Sequence, residues 1–358
     1  MAKQKLSTCS ALFSALAITT LIIEPVLAGG AIQLGEDKFL DIGIGVRTEI
    51  SSIEDAAPNG EDRSFDSNLN NFRLYLSGQL DPMIGVAFTT DVDSNGNVKI
   101  IDGIARLSLS KSFNMWAGLF HPPQSRSGLS GPYNINAWDF PKVANGGPGV
   151  IAGRDKGIGA WGYLADDRLK YQVGLFEGWG DSPSGNESPI IQGRLVYNFW
   201  DRETGFYNAS TYYGAKDVFA VGLVAKSQSD ALLPGNIVGD YSELNVDLLV
   251  EKALPGGGVA TLEAAHYDYD YGPAGDGDGH FVLLSYLLPG ASGAIGRWQP
   301  MVRFQEGESD LNLIDTDRVD VGLNYIIKGH NAKINLIYFD DSDIDQSGFK
   351  IGFQYQVR

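Results

Sequence analysis

Cysteine is almost missing from this chain: the single one among 358 residues is Cys9, inside an apolar leader. Small exported domains replace a thin core with disulfides, so a chain of this length without a usable pair must be held by extensive regular structure instead. Long apolar runs are missing too. Beyond the first thirty residues no stretch is greasy enough to cross a bilayer as a helix. Basic residues are outnumbered, with 27 Lys and Arg against 44 Asp and Glu and a net charge of −17, so no nucleic-acid partner is expected. Only four histidines occur, His121, His266, His280 and His330, at spacings that force no pairing. No nucleophile motif accompanies them and no cofactor fingerprint is present, so a catalytic reading has little to stand on.

Glycine and aromatic residues are plentiful, with 45 Gly and 11% Phe, Trp and Tyr. Lys3 and Lys5, then "ALFSALAITTLII", then "VLA" before Gly29 have the layout of a secretory signal peptide. Residues 1–28 are expected to be removed and residues 29–358 to form one domain. Cleavage leaves 25 basic and 43 acidic residues, a net charge of −18.

Periodicity then identifies the regular structure. In "SGFKIGFQYQVR" Phe349, Ile351, Phe353, Tyr355 and Val357 alternate with Lys350, Gly352, Gln354, Gln356 and Arg358. Period two is a strand with one apolar and one polar face. Sixteen such segments are counted between residues 38 and 358. Short connections at 81–82, 111–113, 166–168, 255–258 and 329–330 alternate with long ones at 51–68, 120–153, 179–188, 228–240, 270–278, 306–315 and 341–346. An even strand count with tight turns at one end and long loops at the other predicts an all-β, sixteen-stranded antiparallel transmembrane barrel of the bacterial outer membrane. Residues 200–216 break the alternation, as a long connection at the short-turn end. A soluble sandwich also alternates, but here the opposite faces carry Arg, Lys, Gln and Asn, so the polar face is the enclosed one.

One stretch suggests a different chemistry. "DVDSNGNVKIID" fits a calcium loop at Asp91, Asp93, Asn95, Gly96 and Asp102. Its flanks alternate as strands rather than as amphipathic helices, and Asn95-Gly96 is a hairpin signal. No metal is expected, with a divalent ion on Asp91, Asp93 and Asn95 as the residual alternative.

"NNFRLYLSGQL", "GLFHPPQSRSGL", "GRDKGIGAWGY", "YQVGLFEGWG", "GRLVYNFWDRETGFYNASTYYGAKDVFAVGL" and "VGLNYIIKGHNAKINLIYF", in that order over most of the chain, resemble the landmarks of the phosphate-selective porin O and P family. The resemblance implies a sixteen-stranded channel, commonly a homotrimer, in a membrane of lipid and lipopolysaccharide. It also implies that the loop after the fifth barrel strand, here 120–153, folds inward and narrows the lumen. The family's arginine ladder is not reproduced: the loop and its end offer Arg126, Lys142, Arg154 and Lys156. The final residue is Arg358 where an aromatic is usual.

If the apolar faces meet lipid, Arg47, Arg73, Arg106, Lys170, Arg194, Arg303, Lys333 and Lys350 point into the lumen. Fixed cations in a narrow channel favour anions, while each can also be paired with a neighbouring acid such as Glu49, Asp102 or Asp247. The acidic runs "EDAAPNGED", "DYDYGPAGDGD" and "DDSDID" fall in expected external loops. The reading is a porin for small anionic or neutral solutes with modest anion preference. A general or cation-preferring porin, or an outer-membrane barrel hydrolase, stands as the alternative.

Overall fold

A computed structural model describes residues 30–92, 96–148, 153–180, 188–291 and 293–358. The expected signal peptide, residues 1–28, lies outside the described residues, as do Asp93 and Asn95 of the calcium-like stretch. The strands are β1 (Gly30–Gln33), β2 (Phe39–Ile53), β3 (Asp66–Gln79), β4 (Ile84–Val92), β5 (Val98–Ser110), β6 (Phe113–Phe120), β7 (Asp155–Leu164), β8 (Leu169–Phe176), β9 (Ile190–Asn198), β10 (Val218–Leu233), β11 (Ile237–Ala253), β12 (Val259–Asp270), β13 (Asp276–Leu287), β14 (Arg297–Ser309), β15 (Thr316–Lys328), β16 (Ala332–Asp341) and β17 (Gln346–Val357). A short helix, α1 (Arg126–Asn134), lies between β6 and β7.

Every strand from β2 to β17 pairs antiparallel with its sequence neighbours, and β17 returns to β2 through Gly348↔Ile53 to Val357↔Ile44. The ring of sixteen is therefore closed and has no free edge to aggregate. β1 is an addition, paired to the start of β2.

Burial explains why these sequences close in this way. On β17 Phe349 and Tyr355 are 55% and 54% exposed, while Gln354 and Gln356 are each 4% exposed. The same inversion holds for Phe72 and Leu74 outside against Arg73 and Tyr75 inside on β3. An apolar outer belt loses nothing in lipid and would be unfavourable in water, and the strand ladder satisfies the backbone groups that lipid cannot.

The structure departs from the sequence expectation at 228–240. β10 and β11 run on to Leu233 and Ile237 past a bulge between Gln228 and Ala231, so the connection shrinks to a tight turn at Pro234–Asn236. The bulge absorbs one irregularity, Asp230 with φ +52°, after which pairing resumes.

Candidate functional site: an off-centre passage

Two segments enter the barrel. The first is the connection between β6 and β7, residues 121–154, whose described part is largely buried against the inner wall. It contains α1, broken at Gly131 (φ +65°) ahead of Pro132. The second is the connection between β9 and β10 at the short-turn end, residues 199–217, in which Glu203, Phe206, Ala209, Ser210 and Thr211 are buried. That second insertion is the long connection that broke the loop alternation, and nothing in its composition marked it as inward-folding.

The inner wall is shaped to hold the first insertion. A Cβ on Gly45 of β2 would come within 2.8 Å of the Tyr133 ring, and one on Gly352 of β17 within 2.6 Å of Trp138; only glycine lets these rings lie flat on the wall. Opposite them Tyr267, Tyr269 and Tyr271 of the β12 end stack at 6.0 Å intervals. Their hydroxyls meet Ser125 at 2.9 Å, the Val143 carbonyl at 2.9 Å and the Gly146 carbonyl at 3.1 Å. The acidic-looking run "DYDYG" thus turns its tyrosines inward as a rail for the loop and its aspartates outward.

Many wall cations are used in the same way. Lys170 donates to the Gly205 carbonyl at 3.3 Å, Lys333 to the Ile135 carbonyl at 2.8 Å and Arg303 to the Asp139 carbonyl at 2.8 Å. Lys350 pairs with the Asp139 carboxylate at 2.7 Å. Burial pushes the Asp139 carboxyl upward, but Lys350, Arg318 and Arg303 outweigh that and hold it below its ordinary range. Arg194 is engaged by Asp247 on the neighbouring wall. These five cations face inward but are sealed behind the insertions.

Of the loop residues singled out from sequence, Arg126 is buried and bidentate to Glu203 at 2.6 Å for both contacts. Lys142 is anchored to the Asp315 carbonyl. Arg154 lies inside beside Asp102 at 3.2 Å. Lys156 does not join them: it sits on the outward face of β7 and pairs with Glu177 at 3.1 Å, because alternation from the inward Asp155 turns it away.

What stays open among the described residues is an off-centre passage along β2 to β5. A cavity of about 590 Å³ near the long-loop end is bordered by Arg47, Arg73, Asp91, Lys99, His121 and Arg154. A cavity of about 520 Å³ near the short-turn end is bordered by Asp41, Tyr75, Asp102, Arg106, Tyr207 and Arg358. Between them a neck of about 60 Å³ shares Arg73, His121 and Arg154 with the outer cavity and Tyr75, Asp102, Tyr207 and Arg358 with the inner one.

Charges along this path are of mixed sign. Arg73 is fixed to Asp91 at 2.7 Å, and Asp91 also accepts from Asn71 at 2.7 Å and from the Phe72 amide at 3.0 Å. Its described neighbours therefore use Asp91 as an internal acceptor, and no group of three metal-ligating side chains exists among the described residues. Arg47 and Arg106 have no carboxylate partner among the described residues; they lie over the Trp138 ring at 3.9 Å and the Trp116 ring at 5.2 Å. Arg358 lies over Tyr75 at 3.9 Å. Burial, with Arg154 and Arg73 nearby, pushes the His121 imidazole well below its ordinary pKa, so it is neutral.

The four histidines do not converge. His266 and His280 are cross-strand partners on the exposed outer face. His330, in the β15–β16 turn, faces the Tyr133 carbonyl at 3.2 Å and the Thr211 carbonyl at 2.8 Å, one from each insertion.

The chain matches no family model and no curated protein. Among solved structures it is similar to the anion-selective porin from Comamonas acidovorans, with a TM-score of 0.61 and 13% identity over 89% of this chain and 100% of that one. OmpT of Vibrio cholerae gives 0.57 and 12% over 91% and 100%. A mutant Rh. blastica porin gives 0.53 and 13% over 88% and 99%. The fold is that of the outer-membrane porins. At such identities the likeness concerns architecture alone.

Proposed function

We propose that this chain is a water-filled outer-membrane channel for small solutes with a modest preference for anions, and a channel rather than a catalyst. The observation that carries the reading is the charge balance of the open passage. Among the described residues, Arg47, Arg73, Lys99, Arg106, Arg154 and Arg358 border it against Asp41, Asp91 and Asp102. A net positive wall in a narrow, partly desolvated neck lowers the barrier for anions even in a protein of net charge −17. The similar porin named as anion-selective supports the same direction. Kinship with the phosphate-selective porin O and P family rests on the sequence landmarks, and no arginine ladder along the passage argues for phosphate itself.

The apolar outer belt supports residence in outer-membrane lipid beside lipopolysaccharide, with export through a cleaved leader at 1–28 and residues 29–358 as the working domain. A homotrimer is the assembly we propose, by analogy with the trimer form of the Vibrio cholerae protein. No cofactor, metal or nucleic acid enters the reading. The test is single-channel recording in a KCl gradient: ohmic steps with a zero-current potential of the sign for Cl⁻ are expected. A preference for K⁺ overturns the anion reading, and a silent barrel overturns the channel.

A further inference from the structure

We propose that the outer cavity is a binding site for a small hydroxylated monocarboxylate, the chemistry of a sugar acid. The inference rests on the channel reading and names a solute class for it.

Three side chains bordering this cavity of about 590 Å³ carry a buried polar atom with no hydrogen-bond partner among the described residues: Arg47 Nε, Asn70 Oδ1 and His121 Nε2. Arg47 is 5% exposed and among the described residues its hydrogen bonds go only to neutral groups, the Asn71 amide oxygen at 3.1 Å and the Trp138 carbonyl at 2.5 Å. A desolvated guanidinium with no carboxylate partner is unfavourable unless an anion completes it. Its plane is already fixed by Trp138, so little ordering remains when an anion docks. Asn70 Oδ1 asks for the opposite, an O–H or N–H donor. The amides of Asn71, Gln124 and Asn145 border the same space and extend the set of groups suited to hydroxyls.

These demands select among small solutes. Inorganic phosphate brings acceptor oxygens with at most one or two hydroxyls, and acetate brings none. Glucose brings hydroxyls but no charge to set against Arg47. A polyhydroxy carboxylate brings both, and a six-carbon member fits a cavity at the middle of the range that holds small ligands. Passage continues through the neck, so binding must be shallow enough to release.

The experiment uses the full barrel refolded in a planar bilayer, with gluconate, acetate, glucose or inorganic phosphate added from the long-loop side. Gluconate is expected to interrupt the KCl current in resolved events, with half-block at a concentration about tenfold below that of each other probe. Asn70→Leu should bring gluconate to the level of acetate, and Arg47→Gln should weaken both carboxylates about tenfold. If Arg47→Gln does not fold, Asn70→Leu decides alone, since it leaves every charge in place. Gluconate block no stronger than that of acetate or phosphate, or unchanged in Asn70→Leu, overturns the inference while the channel stands. A barrel that does not conduct KCl overturns both.

Discussion

Arg126 and Glu203 lock the two insertions to each other: their guanidinium and carboxylate meet through two contacts of 2.6 Å, and each residue is 1% exposed. Arg126 also donates to the Ala209 carbonyl at 2.8 Å, and Asn208 returns a hydrogen bond to the Arg126 carbonyl at 3.0 Å. Removing Glu203 leaves the buried Arg126 guanidinium with only the more distant Asp247 carboxylate at 3.8 Å, and breaking a buried pair in this way destabilises by about 3–5 kcal/mol. Glu203→Gln is therefore expected to release residues 199–217 from the lumen, seen as noisier and larger single-channel steps and as faster proteolysis of that segment. Arg126→Gln combined with Glu203→Gln should recover part of the loss. Unchanged conductance and protection in Glu203→Gln would show that the pair does not fasten the insertions.

The same pair sets an acid limit. Burial pushes the Glu203 carboxyl up, but Arg126 outweighs it and carries the group down to about 2. A depressed carboxylate contributes stability that is present above its unfolded pKa near 4.3 and lost as pH falls through the folded value. The insertions should stay docked at pH 3 and come loose only near pH 2, read by proteolysis after brief acid exposure.

His330 makes a milder claim in the same direction. Burial and then Lys333 lower its pKa to about 4, against hydrogen bonds to Thr211 and Tyr133 that favour the proton. A base held neutral stabilises the fold above its unfolded pKa near 6.5, and that contribution is lost as pH falls towards 4. Thermal unfolding of the wild type should drop over this window, and His330→Gln should flatten the drop. An equal pH slope in both proteins rejects the assignment.

Selectivity depends on which cations are reachable. Arg106 borders the open passage and has no carboxylate partner among the described residues, so Arg106→Glu strands no acid and is expected to shift the zero-current potential towards K⁺. Lys333, sealed behind the loop on the Ile135 carbonyl, should leave the potential where it was when changed to Gln. Equal shifts at both positions would mean that every inward charge counts and that the sealed and open halves are not distinct.

Topology offers a cellular check. The turns at 271–275 and 254–258 flank β12 at opposite ends of the barrel. Epitopes inserted between Ala274 and Gly275 should be reached by antibody on intact cells, and those between Gly256 and Gly257 only after the outer membrane is opened. The reverse pattern inverts the orientation.

The barrel could be read from the chain because alternation is local. Each residue of β17 or β3 is apolar or polar according to the side it faces, and that choice is written at period two whatever the rest of the molecule does. The inward orientation of Arg47, Arg73 and Arg303 was implied by the same rule, whereas the inward fold of the long 120–153 loop was implied only by the family resemblance. What only the tertiary structure decided is which inward charges meet water. Arg126 meets Glu203 across 77 residues of sequence, and Arg303 meets the Asp139 carbonyl across 164. Such contacts leave no periodic trace, because a long-range ion pair constrains two positions and nothing between them. Residues 199–217 likewise carry no inward-folding signal of their own; they are held inside by Arg126, Lys170, His330 and the Glu251 carboxylate, groups contributed by two wall strands, a turn and the other insertion.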